Sequence, residues 1–273
     1  MSPDRFWWRT EAAISSEFEP RLGQPGTGVI VTGGASGIGL ACAQALAAVG
    51  RGVALWDING DKERAEAATL SEQTGAAAIG VAIDLTDLDA YPAAIDASRA
   101  ALGSLGGLVH AAGVVDTGSL DGLDEGVWAA GINTHLRPLA MLAKALLPDL
   151  KANPGSAIVG IASINATLGH MANPVYSAAK GGMLAMIRAL ADRLAMDGIR
   201  INAVSPGQIL TPMLKPTVAA LPPGAFERRI LLERLGAPEE IGRVVRFLLS
   251  DEASYVTAAE LVVDGGNISS QRM

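Results

Sequence analysis

The 273-residue sequence predicts an α/β fold, a doubly wound parallel sheet of about seven strands with helices on both faces. Two observations carry this. Short Val/Ile/Ala runs alternate with longer Ala/Leu-rich segments of helical period, the βαβαβ order of such sheets. The strand runs are also nearly continuous in apolar residues, as strands covered on both faces must be.

The elements follow in order. A first strand at 28–32 runs through a glycine-rich turn into a helix at 37–49. A strand at 52–56 ends at Asp57 and leads to a charged helix at 61–73. The third strand, 78–83, ends at Asp84, with a helix at 87–102, and the fourth, 107–111, ends in Ala112-Gly113. One long helix is expected at 124–151, then a strand at 156–162, a helix at 175–196 and a strand at 199–204. Helices near 211–235 and 238–250 precede a last strand at 260–263. With no internal repeat and no low-complexity linker, 27–273 reads as a single domain and 1–26 as an N-terminal extension. That extension holds Phe6, Trp7 and Trp8, which suit either an arm packed on its own or a neighbouring subunit, or a lid over substrate.

Composition narrows the function classes. Hydrophobic residues at 49% and charged residues at 18% exclude a disordered chain. Asp+Glu total 28 against Lys+Arg 21, a net charge of -7, so no basic surplus exists to neutralise nucleic-acid phosphates. A lone cysteine, Cys42, makes no internal disulfide and reads as a small core residue. No Cys/His cluster has zinc-ligand spacing, so no metal is expected. Every apolar stretch is broken well short of the roughly 18 residues of a membrane span, and the N-terminus lacks the apolar core of a secretory signal. A cytoplasmic protein without a membrane partner is the expectation.

Thr32-Gly33-Gly34-Ala35-Ser36-Gly37-Ile38-Gly39 lies between a strand and a helix. Glycines there allow close backbone approach, and the helix N-terminus offers free N–H groups and partial positive charge, so Gly33, Ser36, Gly37, Ile38 and Gly39 are expected to hold a pyrophosphate. Asp57, at the end of the second strand, stands where a ribose-binding carboxylate belongs. It can accept hydrogen bonds from both ribose hydroxyls and repels a 2′-phosphate. No Arg or Lys occupies 34–36 or 58–59, so the expected cofactor is NAD rather than NADP.

Tyr176-Ser177-Ala178-Ala179-Lys180 opens a long helix, where positions four apart share one face. A free phenol has a pKa of about 10, but a nearby cation favours the phenolate, which suits Tyr176 to general acid/base work on an alcohol/ketone pair. Ser163, just past the fifth strand, can donate to the substrate oxygen. His170 suits either the substrate pocket or an ordinary loop, and His135 reads as structural. The proline-rich stretch 214–229 suits either a mobile lid or a surface helix pair. Met171, Met213 and Leu214 hint at an apolar pocket.

The T-G-x-x-x-G-x-G spacing, the Tyr–Lys pair and Ser163 together resemble the short-chain dehydrogenase/reductase family in its single-domain branch, over about 28–266. The resemblance implies a Rossmann-type dehydrogenase domain. It also implies adenine contacts from Asp84 and Leu85, cofactor contacts from Ala112 and Gly113, and nicotinamide-side contacts from Pro206, Gly207, Ile209 and Thr211. Lys180 would also bond the nicotinamide ribose, and Asn133 would hold a water linking Lys180 to solvent, so Asn133, Ser163, Tyr176 and Lys180 are the catalytic set. His110 replaces the family's Asn before Ala111-Ala112-Gly113, and Ala258 stands where Thr-Gly precedes the last strand, so local hydrogen bonding near His110 is expected to differ. The implied protein is an NAD-dependent oxidoreductase interconverting a small-molecule secondary alcohol and its ketone. It would be a homotetramer paired through the helices at 124–151 and 175–196, whose Ala185, Ala189, Ala191 and Ala195 allow close approach. A 3-oxoacyl thioester reductase and a non-catalytic nicotinamide-binding sensor are the alternatives.

Overall fold

Alternate residues of each central strand supply opposite faces of the sheet, and this builds the layers. In β1 (Gly28–Thr32), Val29 and Val31 pack with α1 (Gly37–Ala47), while Ile30 points into the opposite apolar layer. β2 (Val53–Asp57) divides in the same way, Val53 and Leu55 against Ala54 and Trp56. α2 (Gly60–Thr74), β3 (Ala78–Ala82), α3 (Tyr91–Leu102) and β4 (Leu105–His110) complete the first half. The computed structural model describes residues 20–269, so Phe6, Trp7 and Trp8, and the arm or lid expected of them, lie outside the described residues.

The single helix expected at 124–151 is three: α4 (Glu125–His135), α5 (Arg137–Ala145) and α6 (Leu147–Ala152). Pro138 and Pro148, in the first turns of α5 and α6, lack the N–H that a continuous helix needs, so each marks a break. β5 (Ala157–Ile161), a single turn α7 (Asn165–Leu168), the 22-residue α8 (Pro174–Ala195) and β6 (Arg200–Pro206) follow. Where helix was expected over 211–235, only α9 (Lys215–Ala220) and a short 3-10 turn at Glu227–Arg229 form, because Pro222-Pro223-Gly224 cannot continue a helix. α10 (Pro238–Leu248) and β7 (Glu260–Val263) end the domain.

The seven strands run in the order β3-β2-β1-β4-β5-β6-β7 and every pairing is parallel. α1, α2 and α10 cover one face; α3, α5, α6 and α8 cover the other. The winding direction reverses between β1 and β4, and the chain therefore diverges beyond their carboxyl ends and leaves a crevice. Two buried aromatics steady its β2–β3 side. The Trp56 indole N–H donates to Ser98 Oγ (2.9 Å), its ring meets Tyr91 edge-on, and the Tyr91 hydroxyl donates to the Leu85 carbonyl (2.8 Å). The tail of the expected 1–26 extension is tied down beside α10, where Arg21 pairs with Asp251 (2.7 Å) and the Asp251 N–H donates to the Gln24 carbonyl (2.9 Å).

Ala258, just before β7, has φ +57, and its N–H still donates to the Ile201 carbonyl (2.8 Å). A left-handed alanine is strained by its Cβ. Ala258→Gly should therefore stabilise the protein by about 0.5 kcal/mol or more, after the entropy a glycine adds to the unfolded chain is subtracted. Denaturant unfolding at unchanged slope checks this; a lower midpoint would contradict it.

Candidate active site

The crevice at the β1/β4 switch point is a cleft of about 1000 Å³. It gathers Gly33, Ser36, Gly37, Ile38, Gly39 and Asp57 with Asp84, Leu85, Ala112 and Gly113. Further along the same lining come Ser163, Tyr176 and Lys180, then Pro206, Gly207, Ile209 and Thr211. Asn133 is the exception among the expected residues. It lies half-buried on α4, outside this lining, while the next two residues, Thr134 and His135, are part of it. One step along a helix turns a side chain by about 100°, and that step carries Asn133 off the cleft face.

At the glycine turn, Ser36 caps α1 in an extended conformation, and its side chain makes no cap hydrogen bond. The first intrahelical bond runs from Leu40 N–H to the Ser36 carbonyl (3.1 Å), which leaves the amides of Gly37, Ile38 and Gly39 as open donors at the positive helix end. No acidic residue occupies that first turn. Only glycine fits at 39, where a Cβ would overlap the Gly33 carbonyl oxygen. Asp57 braces the turn from β2, its Oδ2 accepting the Ala35 N–H (3.1 Å) and its Oδ1 the Asn59 N–H (3.2 Å). Asp84 Oδ1 accepts both the amide (2.8 Å) and hydroxyl (2.8 Å) of Thr86. Open amides followed by a strand-end carboxylate fit the pyrophosphate and adenosine ribose of a dinucleotide.

At the other end, Ser163 Oγ accepts the Asn165 N–H (3.1 Å). Lys180 is buried; its Nζ donates to the Ile161 carbonyl (2.5 Å) and lies 5.6 Å from the centre of the Tyr176 ring. Burial drops the Lys180 pKa to about 7. Tyr176 is half-buried as a residue, yet its hydroxyl is desolvated enough to raise its pKa, and a hydrogen bond with Ser163 pulls the other way. The lowering of the Tyr176 pKa expected from Lys180 is therefore absent from the protein itself. The ammonium is engaged by Ile161, and desolvation outweighs it.

His110 makes up for the asparagine it replaces. Its Nε2 donates to the His135 carbonyl (2.8 Å), and its Nδ1 accepts from Thr32 Oγ1 (2.9 Å). Thr32 Oγ1 in turn accepts the Ala111 and Ala112 N–H groups, each at 3.2 Å. The neutral imidazole thus supplies one donor and one acceptor, as an amide would, and burial with the nearby Lys180 charge holds its pKa down to about 4. His135 sits edge-on to Tyr176 (centroids 5.3 Å apart), and its ring fills the space a Cβ on Gly113 would take. Its Nε2 donates to the Val114 carbonyl (2.7 Å), which fits a structural role. Cys42 is buried in α1, where desolvation pushes its thiol up. The 214–229 stretch contributes Leu214, Pro216, Thr217 and Phe226 to the cleft wall.

One residue has a part that sequence reasoning missed. Asp116, in the loop after β4, accepts the Tyr176 N–H at Oδ1 (2.9 Å) and the Val175 N–H at Oδ2 (3.2 Å), and Asn173 Nδ2 donates to its carbonyl. It caps the helix that carries Tyr176 and Lys180. No local signal pointed to it: Asn173 stands at the cap position, a residue type that usually caps, but its side chain donates to the Asp116 carbonyl and Asp116 meets the α8 amides instead. Asp116→Ala should cost about 1 kcal/mol of stability and lower kcat more than it raises KM, with Asp116→Asn milder in both. Unfolding curves and steady-state kinetics check this; an unchanged kcat would contradict it.

Comparison with known proteins agrees with this geometry. A family model described as enoyl-(acyl carrier protein) reductase matches residues 33–267. The chain is 36% identical to a 3-oxoacyl-(acyl-carrier-protein) reductase of Chlamydia trachomatis, over 87% of this chain and 95% of that one. It is 38% identical to cis-4-hydroxycyclohexanecarboxylate dehydrogenase of Sinomonas cyclohexanicum, over 87% of this chain and 94% of that one. Among solved structures it is similar to L-sorbose reductase of Gluconobacter frateurii, complexed with NADPH and L-sorbose. There the TM-score is 0.85 at 28% identity, covering 92% of this chain and 99% of that one. With its parallel seven-stranded sheet and the cleft at the strand-order reversal, the chain belongs to the short-chain dehydrogenase/reductase family.

Proposed function

We propose that the protein is an NAD-dependent dehydrogenase that interconverts a secondary alcohol and its ketone. The observation that carries this is the convergence of Ser163, Tyr176 and Lys180 at one end of a cleft whose other end holds the open α1 amides and Asp57. NAD is favoured over NADP because a 2′-phosphate would meet the Asp57 carboxylate. Arg64, one turn into α2, is paired with Asp61 (2.9 Å).

The bound nicotinamide dinucleotide supplies the acceptor or donor of the hydride. The residues manage the oxygen. Ser163 donates a hydrogen bond to the substrate oxygen and stabilises the charge that develops there. Tyr176 takes the hydroxyl proton in oxidation and returns it in reduction. Lys180 holds its ammonium beneath the phenol and hydrogen-bonds the ribose, and Asn133, set outside the cleft lining on α4, reaches it only through an intervening water. In assembly, Ala185 and Ala189 are exposed on the outer face of α8, which suits close pairing of that helix in a homotetramer. Among the described residues no helix is long and apolar enough to cross a membrane; a cytoplasmic location is part of the proposal. The similarity to 3-oxoacyl-(acyl-carrier-protein) reductases supports a second reading, reduction of a 3-oxoacyl thioester with NADPH.

Because Tyr176 must lose its proton to act as base, alcohol oxidation should accelerate as pH rises through the ionisation of Tyr176 in the complex with oxidised dinucleotide. Tyr176→Phe should lose that slope and about 10²- to 10⁴-fold in kcat, and an equally active variant would remove the mechanism. Cofactor titrations should favour NAD over NADP, and Asp57→Ala should shift the ratio about tenfold or more toward NADP. A parent enzyme that prefers NADPH would instead support the thioester reading.

A further inference from the structure

The reacting oxygen must lie between Ser163 and Tyr176, and this fixes where the rest of the substrate extends. Past that point the cleft is walled by Val114, Val115, Ile164, Met213, Leu214 and Phe226, which come from the loops after β4, β5 and β6. Val114, Val115 and Met213 are 44%, 37% and 53% exposed, apolar surface turned toward a concavity. Such surface in a cleft continuous with reactive groups is the mark of a site for a hydrocarbon body.

His170 adds one polar contact to this wall. The Ala172 N–H donates to its Nδ1 (3.3 Å), which leaves Nε2 as the ring's hydrogen-bond donor. The charged side chains in the lining are Asp57 and Asp84 at the adenosine end and Lys180, which is held by the Ile161 carbonyl. No arginine lines the cleft among the described residues. Arg228, near Phe226, is turned to the Gly224 carbonyl (3.2 Å), and Arg234 is bound by both oxygens of Glu240 (2.8 and 2.7 Å). Within this lining a substrate carboxylate would meet no cation but Lys180, which the Ile161 carbonyl already holds.

We infer that the substrate is an uncharged secondary alcohol or ketone with a hydrocarbon body and a second, acceptor oxygen, and that His170 Nε2–H reads that oxygen. This rests on the dehydrogenase reading above. The alcohol's carbinol hydrogen leaves as hydride to the dinucleotide and its hydroxyl proton goes to Tyr176, so the second oxygen is bound without being consumed.

Three ketones of similar reach separate the possibilities with the full-length protein and reduced dinucleotide: ethyl 4-oxopentanoate, 2-heptanone and the 4-oxopentanoate anion. The expected kcat/KM for the ester is about tenfold or more above that for the anion, and above that for 2-heptanone. His170→Leu should abolish the ester's advantage over 2-heptanone, and do so through KM. An anion reduced as well as its ester, or a His170→Leu variant that lowers both neutral ketones equally, would overturn the inference. Those outcomes leave the dehydrogenase reading intact. That reading fails instead if the protein binds the dinucleotide and reduces none of the three.

Discussion

A buried ammonium without a carboxylate beside it is the constraint on which the working end of this protein depends. Lys180 gives up water for a carbonyl oxygen at the end of β5, and the cost shows as a pKa lowered to about 7. The helix that carries it makes that tolerable. α8 runs for 22 residues and buries Met183, Leu184, Ile187, Ala191 and Leu194 along the same face, so apolar packing offsets the desolvation of one group near its start. Tyr176, one turn earlier, shares both the face and the penalty. Each group's charged form is disfavoured by the protein alone, and each sits in a cleft where further charge can reverse that.

The surroundings hold this pair in place from the strand ends. Asp116 grips the first amides of α8. His135 presses edge-on against the phenol and is itself held by Val114. His110, bonded to the His135 carbonyl and to Thr32, ties β4 to β1 at the point where the two strands part. The geometry of the reactive end is therefore set by the same divergence of chain directions that opens the cleft. A doubly wound sheet places a ligand and its attendant side chains at one spot for this topological reason.

How much of this was legible in the sequence follows from the range of the interactions involved. The strands were legible because double coverage leaves an unbroken apolar run, and the phosphate turn because glycines and a helix start must follow one another in the chain. Tyr176 and Lys180 were legible because a helix turn separates them. The apolar period continues across Pro138 and Pro148 and so predicts one helix over 124–151, whereas the chain breaks at both prolines. Asp116 escaped because its partners lie about sixty residues on and only tertiary folding joins them. Asn133 was placed in the site by resemblance, and helical rotation on α4 puts it outside the cleft lining. His110 in place of an asparagine changes the expected local hydrogen bonding, and only the fold brings Thr32 and His135 to it as the donor and acceptor partners an amide would use.

On the proposed chemistry, Tyr176 is a phenol held neutral by burial that the charge of a bound oxidised dinucleotide would make ionisable. The chain has 3 tyrosines, and the phenolate absorbance of the parent minus that of a Tyr176→Phe variant isolates this one. Titrated alone, Tyr176 should ionise above the ordinary phenol range; with saturating oxidised dinucleotide its ionisation should move to markedly lower pH. A titration that does not shift on adding the dinucleotide would contradict the account.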